Sequence, residues 1–144
     1  MILNESLRLF PPVPLLVRTT ARDVKLGELD LPNGVGLYMP LVAIHHDPEL
    51  WGEDSMKFKP ERFAQGVGKA GKHHSVAALL AFSFGPRNCV GQVFAMQEAK
   101  VVMAMLLRQF QFRLSPSYRH APKMTFITLP PRDGVPLIVE KANT

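Results

Sequence analysis

Cys89 is the only thiol in the chain, and its neighbours are not those of an ordinary packed cysteine. It lies in the stretch Phe82–Gly91, FSFGPRNCVG, between Gly85 and Gly91, with Arg87 two positions before it and a long apolar segment directly after. A thiol binds transition metals as the thiolate, a soft donor. An adjacent cation and the N-terminus of a following helix both favour that charged form. Flanking glycines let the backbone pass close to something flat and bulky, because no Cβ intervenes. A lone cysteine more often acts as a small buried hydrophobe. Here the accompanying glycines and arginine describe a thiolate-ligand loop for iron.

The pattern Phe82-x-x-Gly85-x-Arg87-x-Cys89-x-Gly91 resembles the haem-binding loop of the cytochrome P-450 family, the haem-thiolate monooxygenases. Two other segments fall in that family's order. Glu5-Ser6-Leu7-Arg8, followed by Pro11-Pro12, matches its E-x-x-R helix, and Pro60-Glu61-Arg62-Phe63 matches the segment that docks on that helix. Taken alone, E-x-x-R is a common surface ion pair contributing about 0.3–0.5 kcal/mol. The run His46-Asp47-Pro48 with Trp51-Gly52 is similar to an architectural stretch of the same family.

The resemblance implies an α+β, mainly helical fold: residues 1–144 would form the C-terminal portion of the cytochrome P-450 domain, with 82–91 as its ligand loop. It implies haem b, iron protoporphyrin IX, as cofactor, with Cys89 as the axial iron ligand and catalytic centre. Arg87 is expected on the haem propionates, since a guanidinium grips a carboxylate as a two-pronged fork. Arg18 is a second propionate candidate by position alone, with a plain surface residue as the alternative. Phe82 would pack beside the loop, and backbone donors after Cys89 would hydrogen-bond the sulfur. Glu5, Arg8 and Arg62 would form a buried, structural ion triad.

By the same resemblance the full enzyme inserts one oxygen atom of O2 into a C–H bond of a small lipophilic substrate, with electrons from an NADPH-dependent flavoprotein reductase. Lys69, Lys72, Lys100 and Arg108 are candidates for the basic face that meets an acidic reductase. The wording around the motifs is similar to plant microsomal members acting on steroid-, terpenoid- or hormone-like molecules. Leu15–Val17 and Tyr118–Pro122 would border the substrate. Such enzymes are typically anchored on the cytosolic face of the endoplasmic reticulum. The 144 residues cover about a third of a member's length, without the anchor or the distal acid–threonine helix. The expectation is a soluble chain that lacks turnover by itself.

The bulk numbers are compatible with this and exclude other classes. An apolar content of 47% argues against disorder. No run of 18 apolar residues occurs, and nothing at the start reads as a signal peptide. The net charge of +5 suggests nucleic acid, but the 17 basic residues are dispersed, with no dense cluster or interleaved aromatic platform. The histidines His45-His46, His73-His74 and His120 lack metal-ligand spacing.

Hydrophobic spacing predicts a helix over Met1–Phe10, stopped by Pro11-Pro12. Strands are expected near Leu15–Thr19, Val24–Leu26 and Val35–Met39, with Asn33-Gly34 as a hairpin signal. A short helix over Leu41–His46 should end in a turn at Asp47-Pro48, with a helical turn at Pro60–Phe63 and a flexible loop over Gly66–His74. Gln92–Gln109 should be the longest helix. Val101–Leu107 is apolar all round and so reads as core, with Met96, Met103 and Met105 as filling. Phe110–Leu114 is expected as a strand, and Met124–Leu129 with Val135–Val139 as a hairpin around PPRDG. Two other classes remain open: a catalytically inactive haem-binding or remnant module, and, less favoured by charge distribution, a nucleic-acid-binding domain.

Overall fold

The computed structural model describes residues 1–73, 75 and 78–142. His74, the second member of one histidine pair, lies outside the described residues. Helix α1 (Ile2–Leu9) opens the chain and ends where Phe10 donates its amide to Ser6 O, just before Pro11. Two small antiparallel sheets follow. Strand β1 (Leu15–Thr19) pairs with β4 (Gly36–Pro40), and β2 (Val24–Leu26) pairs with β3 (Leu29–Leu31). Helix α2 (Leu41–His46) begins directly off β4, and α3 (Pro48–Trp51) follows after one residue. Short 3₁₀ turns at Pro60–Phe63 and Val67–Lys69 lead to the cysteine loop, helix α4 (Gln92–Gln109), and the antiparallel pair β5 (Phe110–Leu114) and β6 (Leu137–Lys141).

The core sits where α1 packs on α2 and on the Pro60–Phe63 turn. Leu9, Leu41, Trp51 and Phe63 are buried there together with Glu5, Arg8 and His45. Burying that much polarity demands partners, and the neighbouring segments supply them.

Four expectations need correcting. Asn33-Gly34 does turn, with Gly34 at φ +84°, but the flanking strands do not pair with each other. Buried Thr20 holds this connection instead: its hydroxyl donates to Pro32 O at 2.6 Å and accepts from Val35 N at 2.9 Å. The tight hairpin lies at Gly27-Glu28, between β2 and an additional strand β3 too short to show alternation.

Asp47-Pro48 does not merely end α2. The Asp47 carboxylate accepts Glu49 N at 2.8 Å and Pro48 fills the first helical position, which starts α3.

At the C-terminus, β6 pairs with β5 rather than with 124–129, running from Phe110↔Lys141 to Leu114↔Leu137. The segment 122–131 closes on itself through Lys123 N–Pro130 O and the mutual bonds of Thr125 and Thr128. Its prolines remove the donors that a longer ladder with 135–139 would need.

Helix α4, finally, has no buried residue. Val101, Met105 and Leu107 are exposed, and only Ala95, Met96, Ala99 and Met103, spaced by about a turn, are half-covered. Sequence patterning reports that a surface is apolar; it cannot report which element covers it. Among the described residues no helix is long and apolar enough to cross a membrane.

Candidate functional site: the cleft at Cys89

The loop before α4 is built on two hydrogen bonds. Cys89 N donates to Phe82 O at 2.9 Å, and Asn88 N donates to Gly85 O at 3.1 Å. Together they bend 82–89 back on itself. The bend needs Gly85 at φ +89°, a conformation that an L side chain would strain, and also holds Ser83 at φ +63°. Gly91 stands directly behind the thiol, where an added Cβ would lie 3.9 Å from Cys89 Sγ. The two glycines differ: Gly85 is required by the turn, whereas a side chain at Gly91 would meet the thiol only at ordinary van der Waals distance.

Cys89, Arg87 and Phe82 all line one cleft of ≈ 720 Å³, and Arg18 of β1 lines it too. Ala95, Met96 and Ala99 of α4 also line it, with Leu3 and Leu7 of α1 and Phe10 just after that helix. This volume falls in the usual range for a small-molecule site, and the lining is predominantly apolar, as such sites are. Cys89 itself is exposed. Arg18 is held in place by Ser83, whose hydroxyl accepts its guanidinium at 2.9 Å. The hydrogen bonds expected at the sulfur do not form among the described residues. Gln92 N donates to the Cys89 carbonyl instead, at 3.4 Å.

Beneath the cleft, Glu5, Arg8 and Arg62 come together. Arg8 binds Glu5 through Nε to Oε2 at 2.8 Å and through its terminal nitrogen to Oε1 at 2.9 Å. Arg62 Nε stands 3.7 Å from Glu5 Oε1, an ion pair too long for a hydrogen bond. Its other nitrogens reach Trp51 O at 2.7 Å and Asp54 Oδ1 at 2.9 Å. Arg8 also reaches His45 O at 2.6 Å and Lys57 O at 3.2 Å, and its guanidinium lies over the Trp51 ring, 5.2 Å from the centroid. Burial pushes the Glu5 carboxyl up. The Arg8 hydrogen bond, the Lys59 amide and the two guanidinium charges outweigh this, so it titrates below the usual carboxylate range. The bonds from Lys59 and Arg62 bring Asp54 down to about 2.

Asp54, Ser83 and His45 are site-supporting residues that sequence reasoning missed. Asp54 sits amid charged residues with no motif of its own, and Ser83 falls between two motif positions. His45 lacks the spacing of a metal ligand, yet it is fully buried and accepts Leu80 N on Nε2 at 2.9 Å. Of the four cations expected to form a basic face, Lys69 ends the Val67–Lys69 turn and Lys72 donates its amide to Leu50 O at 2.8 Å. Lys100 and Arg108 are about two turns apart on α4. Of the segments expected to border substrate, Leu16 lines the Cys89 cleft. Tyr118, His120 and Pro122 line a second cavity of ≈ 850 Å³ on the other side of Phe10–Pro12.

A profile of the family Cytochrome P450 matches residues 1–137. The chain belongs to the cytochrome P450 family. It is 53% identical over 141 residues to the 7-deoxyloganic acid hydroxylase of Catharanthus roseus, covering 98% of this chain and 26% of that protein. It is 47% identical over 139 residues to a cytokinin hydroxylase of Arabidopsis thaliana, covering 96% of this chain and 26% of the relative. An 11-oxo-beta-amyrin 30-oxidase of Glycyrrhiza uralensis is 50% identical, with 98% of this chain and 26% of the relative covered. Among solved structures, retinoic-acid-bound cyanobacterial CYP120A1 superposes with a TM-score of 0.84 at 30% identity, over 98% of this chain and 32% of that one. The chain thus spans about a quarter of the length of these plant relatives. The α+β cytochrome P450 architecture expected from the sequence is what the structure has. Haem is the cofactor of this family, and the Cys89 cleft fits it: a soft sulfur donor and two guanidinium groups line one predominantly apolar space.

Proposed function

We propose that this chain carries the haem-thiolate half of a monooxygenase site, in which Cys89 Sγ would hold the iron of haem b. The observation that carries the reading is that Cys89, Arg87 and Arg18 share one apolar cleft. Arg87 and Arg18 would take the propionates, with Ser83 fixing the direction of Arg18. Phe82 would pack beside the ligand loop, as a lining residue of the same cleft. Thiolate-ligated haem supplies the activation of O2 by pushing electron density toward the bond that must break. The protein's part would be to present the sulfur from the 82–89 bend, to neutralise the propionates with Arg87 and Arg18, and to line the apolar space with side chains of α1 and α4.

The substrate class we infer is a small lipophilic terpenoid- or hormone-like molecule, because the plant relatives are named for such substrates. Electrons would come from an NADPH-dependent flavoprotein reductase. The residues lining the cleft include no acid–threonine pair to relay protons. These residues by themselves therefore provide the ligand side of the reaction rather than a complete turnover site.

Haem titration of the purified chain tests this. The native chain is expected to bind one haem, with a thiolate-type spectrum for its ferrous carbon monoxide complex. Cys89→Ala should lose that spectrum, and an imidazole-type spectrum from the native chain would overturn the assignment.

A further inference from the structure

We propose that His45 is the positioning residue of the cysteine loop: by accepting the Leu80 amide on Nε2, it sets where Phe82 and Cys89 stand at the cleft. The functional meaning of this rests on the haem-thiolate reading above, whereas the anchoring is a property of the chain itself.

The geometry begins with a ring buried to 0% exposure on α2. Leu80 N lies 2.9 Å from His45 Nε2, so that nitrogen must be bare and the neutral ring must carry its proton on Nδ1. Nδ1 is buried and finds no partner among the described residues. An unmet buried donor destabilises the fold, and an apolar side chain of similar shape would avoid it. The hydrogen bond the ring does make is the one on its other nitrogen, to Leu80 N.

What it holds is the entry to the ligand loop. Leu80 O accepts Ser83 N at 2.8 Å, and Phe82 O in turn accepts Cys89 N at 2.9 Å. A shift of Leu80 would pass through both bonds to the thiol. The other end of His45 is fixed as firmly: its carbonyl takes Arg8 at 2.6 Å, and Arg8 is gripped by Glu5. One residue thus ties the buried ion cluster of α1 to the loop that presents Cys89. The charged groups around it are Arg8 and Glu5 on α1 and His46 on its own helix. Burial, with the nearby Arg8 and His46 charges, keeps the ring neutral down to about pH 4, so the acceptor persists through the physiological range.

The test uses the haem-free chain and reads amide exchange by NMR. His45→Phe keeps a ring of similar shape without the acceptor, and His45→Gln places an amide oxygen near where Nε2 stands. In His45→Phe the Leu80 and Cys89 amides should exchange at least about tenfold faster, while those of α1 and β1 stay within about twofold of native. His45→Gln should bring the loop amides back to within about threefold. Native-like exchange in His45→Phe, or exchange as fast in His45→Gln, would overturn the proposal. Should His45→Phe fail to fold, the ¹⁵N ring spectrum of the native chain decides: a proton on Nδ1 supports the anchor, and one on Nε2 removes it. Haem added to the same samples separates the two readings. A native chain that takes up no haem defeats the haem-thiolate assignment and leaves the exchange result standing.

Discussion

Arg8 makes four side-chain hydrogen bonds, to Glu5, His45 and Lys57, and stacks on Trp51 as well. A guanidinium so fully enclosed is tolerated because its charge is matched by Glu5. Removing that match is the sensitive change. Glu5→Leu should destabilise the chain by about 3–5 kcal/mol in urea unfolding, because it strands a buried cation. Asp54→Asn, on a partly exposed carboxylate at the edge of the cluster, should cost about 1 kcal/mol or less. His45 sets a pH dependence of definite sign. Its folded pKa of about 4 lies below the ordinary 6.5, so the unfolded chain takes up a proton first as pH falls. Stability is fully present above about pH 6.5 and declines towards pH 4, by roughly 3 kcal/mol for a shift of this size. Glu5, also depressed when folded, acts in the same direction below its ordinary 4.5. Chemical unfolding at pH 7, 5.5 and 4.5 checks this, and His45→Gln should flatten the upper part of the curve.

The connection from β3 to β4 depends on one hydroxyl. Thr20 satisfies both Pro32 O and Val35 N, and Gly34 N returns to Thr20 O at 2.9 Å. Thr20→Val preserves shape but leaves a part-buried donor and acceptor unmet. It should therefore cost about 1–3 kcal/mol and loosen the β1–β4 pair. Because Arg18 pairs with Leu37 in that sheet, haem affinity should fall with it, measurable by titration. Thr20→Ser, which keeps the hydroxyl, should retain most of both. The caps of α3 and the β5–β6 ladder need no such device, since Asp47 and a donor-bearing strand suffice.

The apolar surface of α4 governs the behaviour of the isolated chain. Val93, Phe94, Val101, Met105 and Leu107 are all exposed, and large apolar side chains left open on one helix favour association. The 144-residue chain should therefore self-associate as it is concentrated, with light scattering rising across the micromolar range. Phe94→Lys with Val101→Glu should suppress this without lowering the unfolding midpoint, because neither side chain is buried.

Local chemistry made much of this protein legible. The thiol between glycines, the E-x-x-R spacing, the prolines that end α1 and the apolar run of α4 are properties of neighbouring residues, and short-range sterics and donor chemistry act on them directly. Strand partners were not legible in the same way. Whether Leu137–Lys141 pairs with 124–129 or with Phe110–Leu114 depends on which backbone offers unpaired donors at the right distance. The role of His45 was hidden for the same reason, since its partner Leu80 is 35 residues away and leaves no spacing to read. The sequence by itself determined which groups could bind iron and carboxylates. Only the tertiary structure decided that Arg18, Arg87 and Cys89 line one space, because Arg18 lies on β1, far along the chain from the loop that carries the other two.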